Sequence, residues 1–88
     1  MKLHLIRLAK AQGEARFPGI GHFRSYVLKE PKEVAGAYMY LLLEGELVID
    51  LPDKSYLHLE PGEAAYLPGP HRLVPVGESV IGEWKLSR

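Results

Sequence analysis

Along this chain, short runs of alternating apolar and polar residues are cut at close intervals by glycine and proline. In "HFRSYVLK" the alternation sets Phe23, Ser25 and Val27 on one face and Arg24, Tyr26 and Leu28 on the other, a period of two that predicts a strand. The strongest apolar run, "AYMYLLL" at 37–43, is bracketed by Gly36 and Gly45 at a length too short for a buried helix, so it also reads as a strand. "ELVID" and "SYLHLE" flank "LPDK", where Pro52 and Asp53 suit the central positions of a type I turn, and the unit reads as a hairpin. In its second arm Leu57 and Leu59 face one way and Tyr56, His58 and Glu60 the other. "AAYL", "HRLVPV" and "VIGEWKL" are further strand candidates. Pro75 predicts an edge or bulge in the second, and in the third Val80, Trp84 and Leu86 oppose Ile81, Glu83 and Lys85. "MKLHLIRL" reads as a first strand that is apolar on both faces, Leu3 and Leu5 against Ile6 and Leu8. The glycine-rich "AKAQGEARFPGIG" excludes a long helix, and "EPKEVAG" reads as a turn. Seven or eight short strands and little or no helix predict an all-β sandwich or barrel.

Composition narrows the function classes. The 88 residues predict one domain over 1–88, and so small a core, with a two-sided N-terminal strand to cover, predicts a homodimer built through that strand. Lys plus Arg and Asp plus Glu both number 11, so nothing favours nucleic acid as a partner. There is no cysteine, hence no disulfide or thiolate nucleophile. Charges interrupt an N-terminal apolar run that is too short for an export signal or membrane span, and the expected location is the cytoplasm, away from membranes.

Candidate chemistry is sparse. The chain has no phosphate-cradling glycine loop before a helix, no His-Glu-x-x-His pattern and no Gly-x-Ser-x-Gly elbow. The four histidines are isolated in sequence. His4 and His22 read as surface or subunit-contact residues and His58 as solvent-facing. His71 follows the stiff corner "PGP" and begins a strand, which fixes its position for catalysis or for a hydrogen bond that ties the corner down.

These residues carry a resemblance. The segments "YMYLLLEGELVI" and "GEAAYLPGPHRL" resemble the two motifs of the cupins, with Gly45 as the hairpin glycine of the first and Gly62, Pro68, Gly69 and His71 at the marked positions of the second. The resemblance implies a small cupin-type jelly-roll barrel, a double-stranded β-helix with a pocket open at one end, and commonly a dimer. It also implies where metal ligands would stand. Counting back from Gly45, the glutamate position falls on Tyr38 and the histidine positions on Lys32 and Val34, or on Pro31 and Glu33 if the spacing is one residue longer. None of these is a histidine, so the expectation is no metal and no cofactor.

The resemblance places Tyr38 on the inward face, and the period of two adds Tyr40 and Leu42. Tyr66, His71 and Trp84 complete the expected ligand-binding set, which suits a small, partly apolar organic molecule. The leading expectation is a metal-free small-molecule binding or sensing module. Two alternatives stay open: a small isomerase-like or metal-dependent enzyme in which His71 is the base and a tyrosine the acid, and a structural or interaction barrel whose aromatic side chains fill the core. An internal cavity of roughly 300 Å³ lined by Tyr38, Tyr40 and His71 favours the first two.

Overall fold

The computed structural model of the chain describes residues 4–16 and 21–86. It begins with a helix, α1 (Leu5–Gln12), followed by β1 (Glu14–Ala15), β2 (Phe23–Leu28), β3 (Lys32–Val34), β4 (Tyr38–Glu44), β5 (Leu47–Asp50), β6 (Tyr56–Leu59), β7 (Ala64–Leu67), β8 (His71–Pro75) and β9 (Ser79–Lys85). Two antiparallel sheets face each other, one in the order β1-β2-β9-β4-β7 and the other β3-β8-β5-β6. Between them lies a core of Tyr26, Leu28, Tyr40, Leu42, Leu47, Ile49, Leu59, Leu67, Leu73 and Ile81. Both sheets contribute every second residue to it, as a closed stack of sheets requires.

The N-terminal segment corrects the sequence reading. Residues 5–12 form a helix and not a strand, while 1–3 lie outside the described residues. The segment "LIRLAKAQ" is rich in good helix formers. His4 caps its start by accepting from the Arg7 backbone N–H through Nδ1 at 3.1 Å. Gly13 ends it in the left-handed conformation, φ 85°, donating to the Ala9 carbonyl. The helix packs across the outer face of β2 and β9, burying Ala9, and the Ser25 hydroxyl donates to the Leu5 carbonyl. A homodimer built through an N-terminal strand therefore loses its basis. A second correction concerns "EPKEVAG", in which Lys32–Val34 pair with β8 as a short strand.

Two turns close the opposite ends of β5, the Gly45 hairpin beside Pro75 and the Pro52–Asp53 turn on the side of His71. At the β4–β5 hairpin Gly45 has φ 96°, and a Cβ there would stand 2.7 Å from both the Glu78 carbonyl oxygen and the Ser79 Oγ. Only glycine fits so close a backbone approach. At the β5–β6 connection Lys54 N–H closes a turn on the Leu51 carbonyl around Pro52 and Asp53, as the hairpin reading expects. No helix among the described residues is long and apolar enough to cross a membrane.

Candidate functional site

Three neighbouring strands of the first sheet present alternating polar side chains inward at one end of the barrel. Arg24 and Tyr26 come from β2, Glu83 and Lys85 from β9, and Tyr38 and Tyr40 from β4. The register sets Arg24 opposite Glu83, Glu83 opposite Tyr40, and Lys85 opposite Tyr38. Cross-strand neighbours of this kind touch, and here they form one polar cluster.

Glu83 is its centre. The residue is only 5% exposed, yet its carboxylate is fully engaged: the Tyr26 hydroxyl donates to Oε1 at 2.7 Å and Arg24 Nε donates to Oε2 at 3.1 Å. Arg24 also lies over the Tyr26 ring, 4.3 Å from its centroid, and Lys32 Nζ lies over the same ring at 5.1 Å. Burial, and after it the hydrogen bond and charge of Glu83, drive the Tyr26 phenol far above its ordinary pKa. Burial does the same to Tyr40, seconded by the charge of Glu83. Both phenols stay neutral donors, the form that a buried carboxylate and an imidazole can use.

Tyr38, Tyr40 and His71 meet on the inner face of the barrel. Tyr38 and Tyr40 stack with centroids 5.8 Å apart, and the His71 ring stands edge-on to both, at 6.2 and 5.3 Å. His71 Nδ1 is 2.7 Å from the Gly69 carbonyl, which has only lone pairs to offer, so Nδ1 carries a proton and donates. Nε2 faces the Tyr40 hydroxyl at 2.6 Å and accepts a hydrogen bond from it. The corner before His71 thus has a hydrogen bond tying it down. Tyr40 is 0% and His71 4% exposed.

The remaining members of the expected set lie elsewhere. Met39 pairs with both Tyr66 and Trp84, so these two residues share the outer face of the sheet, on the side opposite Tyr40. Trp84 packs on Phe23 at 4.5 Å and Tyr66 is 61% exposed. The expected gathering of all five rings does not occur, because the odd and even positions of β4 point to opposite faces. His58 is exposed and paired with Glu46, and His4 is the helix cap described above. The sequence reading missed Arg24, Tyr26 and Glu83. The signal was available in the alternation itself, which put Arg24 with Tyr26 and Leu28, and Glu83 with Ile81, on apolar faces where a charge needs a partner.

The side chains beneath these groups are apolar apart from the Tyr40 hydroxyl. Tyr40, Leu42, Leu47, Ile49, Leu73 and Ile81 are all sealed from solvent. A cleft of about 250 Å³ opens above them, lined by Arg16, His22, Arg24, Tyr38, Glu83 and Lys85. Neither Tyr40 nor His71 lines it; His71 lies instead at a separate cleft of about 290 Å³ with Val34, Asp50, Pro52 and Pro70. His22 sits at its edge in the left-handed conformation, φ 64°, unusual for a residue with a side chain, and its carbonyl accepts from Lys85 N–H at 2.8 Å.

Solved structures with the same architecture are numerous. Protein NMB1881 from Neisseria meningitidis superposes with a TM-score of 0.75 over 99% of this chain and 100% of its own, at 18% identity. A cupin-2 domain containing protein from Shewanella frigidimarina gives 0.64 over 76% of this chain and 74% of its own, at 16% identity. The chain has the cupin fold. The cupin_2 domain of an XRE family transcriptional regulator from Enterobacter cloacae likewise gives 0.64, over 88% of this chain and all of its own, at 16% identity. No family model matches the sequence, and no curated protein matches it.

The cupin ligand positions of this chain lack metal donors. Lys32 offers an ammonium, Val34 an alkyl group and Tyr38 a phenol, while His71 already spends both ring nitrogens. The Glu83 carboxylate is engaged by Arg24 and Tyr26. Among the described residues no group of three or more His, Cys, Asp or Glu side chains is placed to hold a metal ion. This donor set does not fit a divalent cation.

Proposed function

We propose that this cupin-fold chain is a small-molecule binding or sensing module that works without a metal and takes its ligand at the polar mouth of the barrel. The observation that carries the reading is the cleft of about 250 Å³ in which Arg16, Arg24, Lys85, Glu83 and Tyr38 converge above a core sealed from solvent. Charged groups fixed at the floor of a concave site by internal hydrogen bonds are the usual means of orienting a small ligand. The Enterobacter cloacae domain belongs to a transcriptional regulator, and a sensing role for this chain would parallel it.

The enzyme reading needs His71 and a tyrosine to reach one substrate atom. The His71–Tyr40 pair has hydrogen-bond geometry, but the Tyr40 side chain is fully buried and neither residue lines the cleft of Arg24 and Lys85, which favours binding over proton transfer there. A thermal-shift screen of metal-free protein against small organic molecules, with hits mapped by amide chemical shifts, tests the proposal. Hits are expected to perturb residues 22–24, 38 and 83–85. Saturable hits that all map to other surfaces would overturn it.

A further inference from the structure

The charges of the mouth specify what it takes. Arg16, Arg24 and Lys85 line the cleft against the single carboxylate of Glu83, and that carboxylate is spent on Arg24 Nε and the Tyr26 hydroxyl. Lys85 enters no ion pair among the described residues. Arg24 is held in place, with Nε on Glu83 and its guanidinium over the Tyr26 ring, so its outer nitrogens are pre-aimed. They have a partner already. Glu14 spans the two arginines, Oε2 to Arg16 Nε at 2.5 Å and Oε1 to Arg24 Nη1 at a long 3.3 Å. Glu14 belongs to a strand of two residues, and its side chain and that of Arg16 are 37% and 58% exposed. An exposed pair of this kind is weak and exchangeable. Two guanidiniums bridged by the two oxygens of one carboxylate are the geometry that a ligand's own oxyanion would use.

We infer that the ligand is a small organic molecule carrying an oxyanion, a carboxylate or a phosphate, which sits against Arg16, Arg24 and Lys85 and competes with Glu14 for the two guanidiniums. The inference rests on the reading of the mouth as the binding site and adds the class of ligand to it. The cleft volume limits the ligand to a small one, and the Tyr38 ring in the wall accepts an apolar body behind the anionic head.

The test is an amide chemical-shift titration of the full chain with benzoate, phenyl phosphate and the neutral benzamide, on wild type, on Glu14→Gln and on the double variant Arg16→Gln, Lys85→Gln. The spectra also report whether each variant is folded. Benzoate or phenyl phosphate is expected to shift residues 22–24, 38 and 83–85 saturably, with benzamide weaker, and the stronger of the two anions distinguishes carboxylate from phosphate. Glu14→Gln is expected to tighten anion binding about 3- to 5-fold and the folded double variant to weaken it about 10-fold, the effects shrinking with salt. Benzamide binding at these residues as tightly as the anions overturns the oxyanion class and leaves the mouth as the site. Unchanged anion affinity in Glu14→Gln overturns the competition. If none of the three probes shifts the mouth while the broader screen yields hits there, the class is wrong; if the screen's hits lie elsewhere, the site itself is wrong.

Discussion

Tyr40 and His71 illustrate how a pair of polar side chains becomes part of a core. Each would be costly to bury alone, and together they satisfy one another, with the Gly69 carbonyl taking the last ring proton. Removing the hydroxyl leaves the buried His71 Nε2 without its partner. Tyr40→Phe is therefore expected to lower stability by about 1–3 kcal/mol in urea unfolding, although it adds no strain and preserves the apolar ring. A loss below a few tenths would show that the bond is worth nothing in the folded protein. His58 behaves differently because it is exposed. Its hydrogen bond to Glu46 is the main influence raising its pKa above the ordinary 6.5, and the modest effect of burial runs the other way. A raised folded value means that the contribution is fully present below the unfolded pKa and fades as pH climbs through the folded one. The melting-temperature advantage of wild type over Glu46→Gln is expected to be small at about pH 5.5 and absent by about pH 9. An advantage that grows with pH would reverse the assigned sign.

At the level of elements, much of the chain was legible. The alternation over 23–28, the apolar run bracketed by Gly36 and Gly45, and the Pro52–Asp53 turn all correspond to observed strands and turns. Two things were not. Leu5, Leu8 and Ala9 lie at helical spacing, but over so few residues the same letters also alternate, and the deciding features are the His4 cap and the Gly13 stop. The inward side of the first sheet was also ambiguous. Helix α1 packs over part of the outer face, so Phe23, Ser25 and Val80 are as buried there as Tyr26 and Ile81 are inside, and alternation cannot say which set lines the barrel. Hence Trp84 was grouped with Tyr40. Gly45 was the more dependable marker, because a positive φ and the contacts at 2.7 Å that a Cβ would make to the Glu78 carbonyl and the Ser79 hydroxyl both demand glycine. Gly45→Ala must both strain the backbone and push the Glu78–Ser79 segment away from the hairpin. The expected loss is on the order of 2–4 kcal/mol, read from urea midpoints. A loss under 1 kcal/mol would mean that the hairpin relaxes freely and that the glycine is not what fixes the β4–β5 turn.

At the scale of the molecule, the barrel keeps the cupin architecture while its centre has been given over to packing. Where a metal site would need several uncommitted imidazoles and carboxylates, this chain has a tyrosine and a histidine bonded to each other, a carboxylate clamped by an arginine and a tyrosine, and aliphatic side chains sealed from solvent beneath them. Cohesion then has to come from the core and from the polar cluster, neither of which depends on an ion. The thermodynamic consequence is measurable, because a metal that binds only the folded state stabilises it by about 2.7 kcal/mol at a hundred times its dissociation constant. In a chain of 88 residues that would move the melting temperature by roughly 10–20 °C. The melting temperature is accordingly expected to be the same, within about 1 °C, after exhaustive chelation and after addition of zinc, manganese, iron(II) or nickel at about a hundred micromolar. Elemental analysis of the purified chain should find well under one ion per molecule. A rise of several degrees with one of these metals, reversed by chelator, would mean that the Tyr40–His71 bond opens to free an imidazole, or that exposed groups such as His58 and Glu63 assemble a site at the surface. The two are separable, since the first would be lost in His71→Gln and the second in His58→Gln.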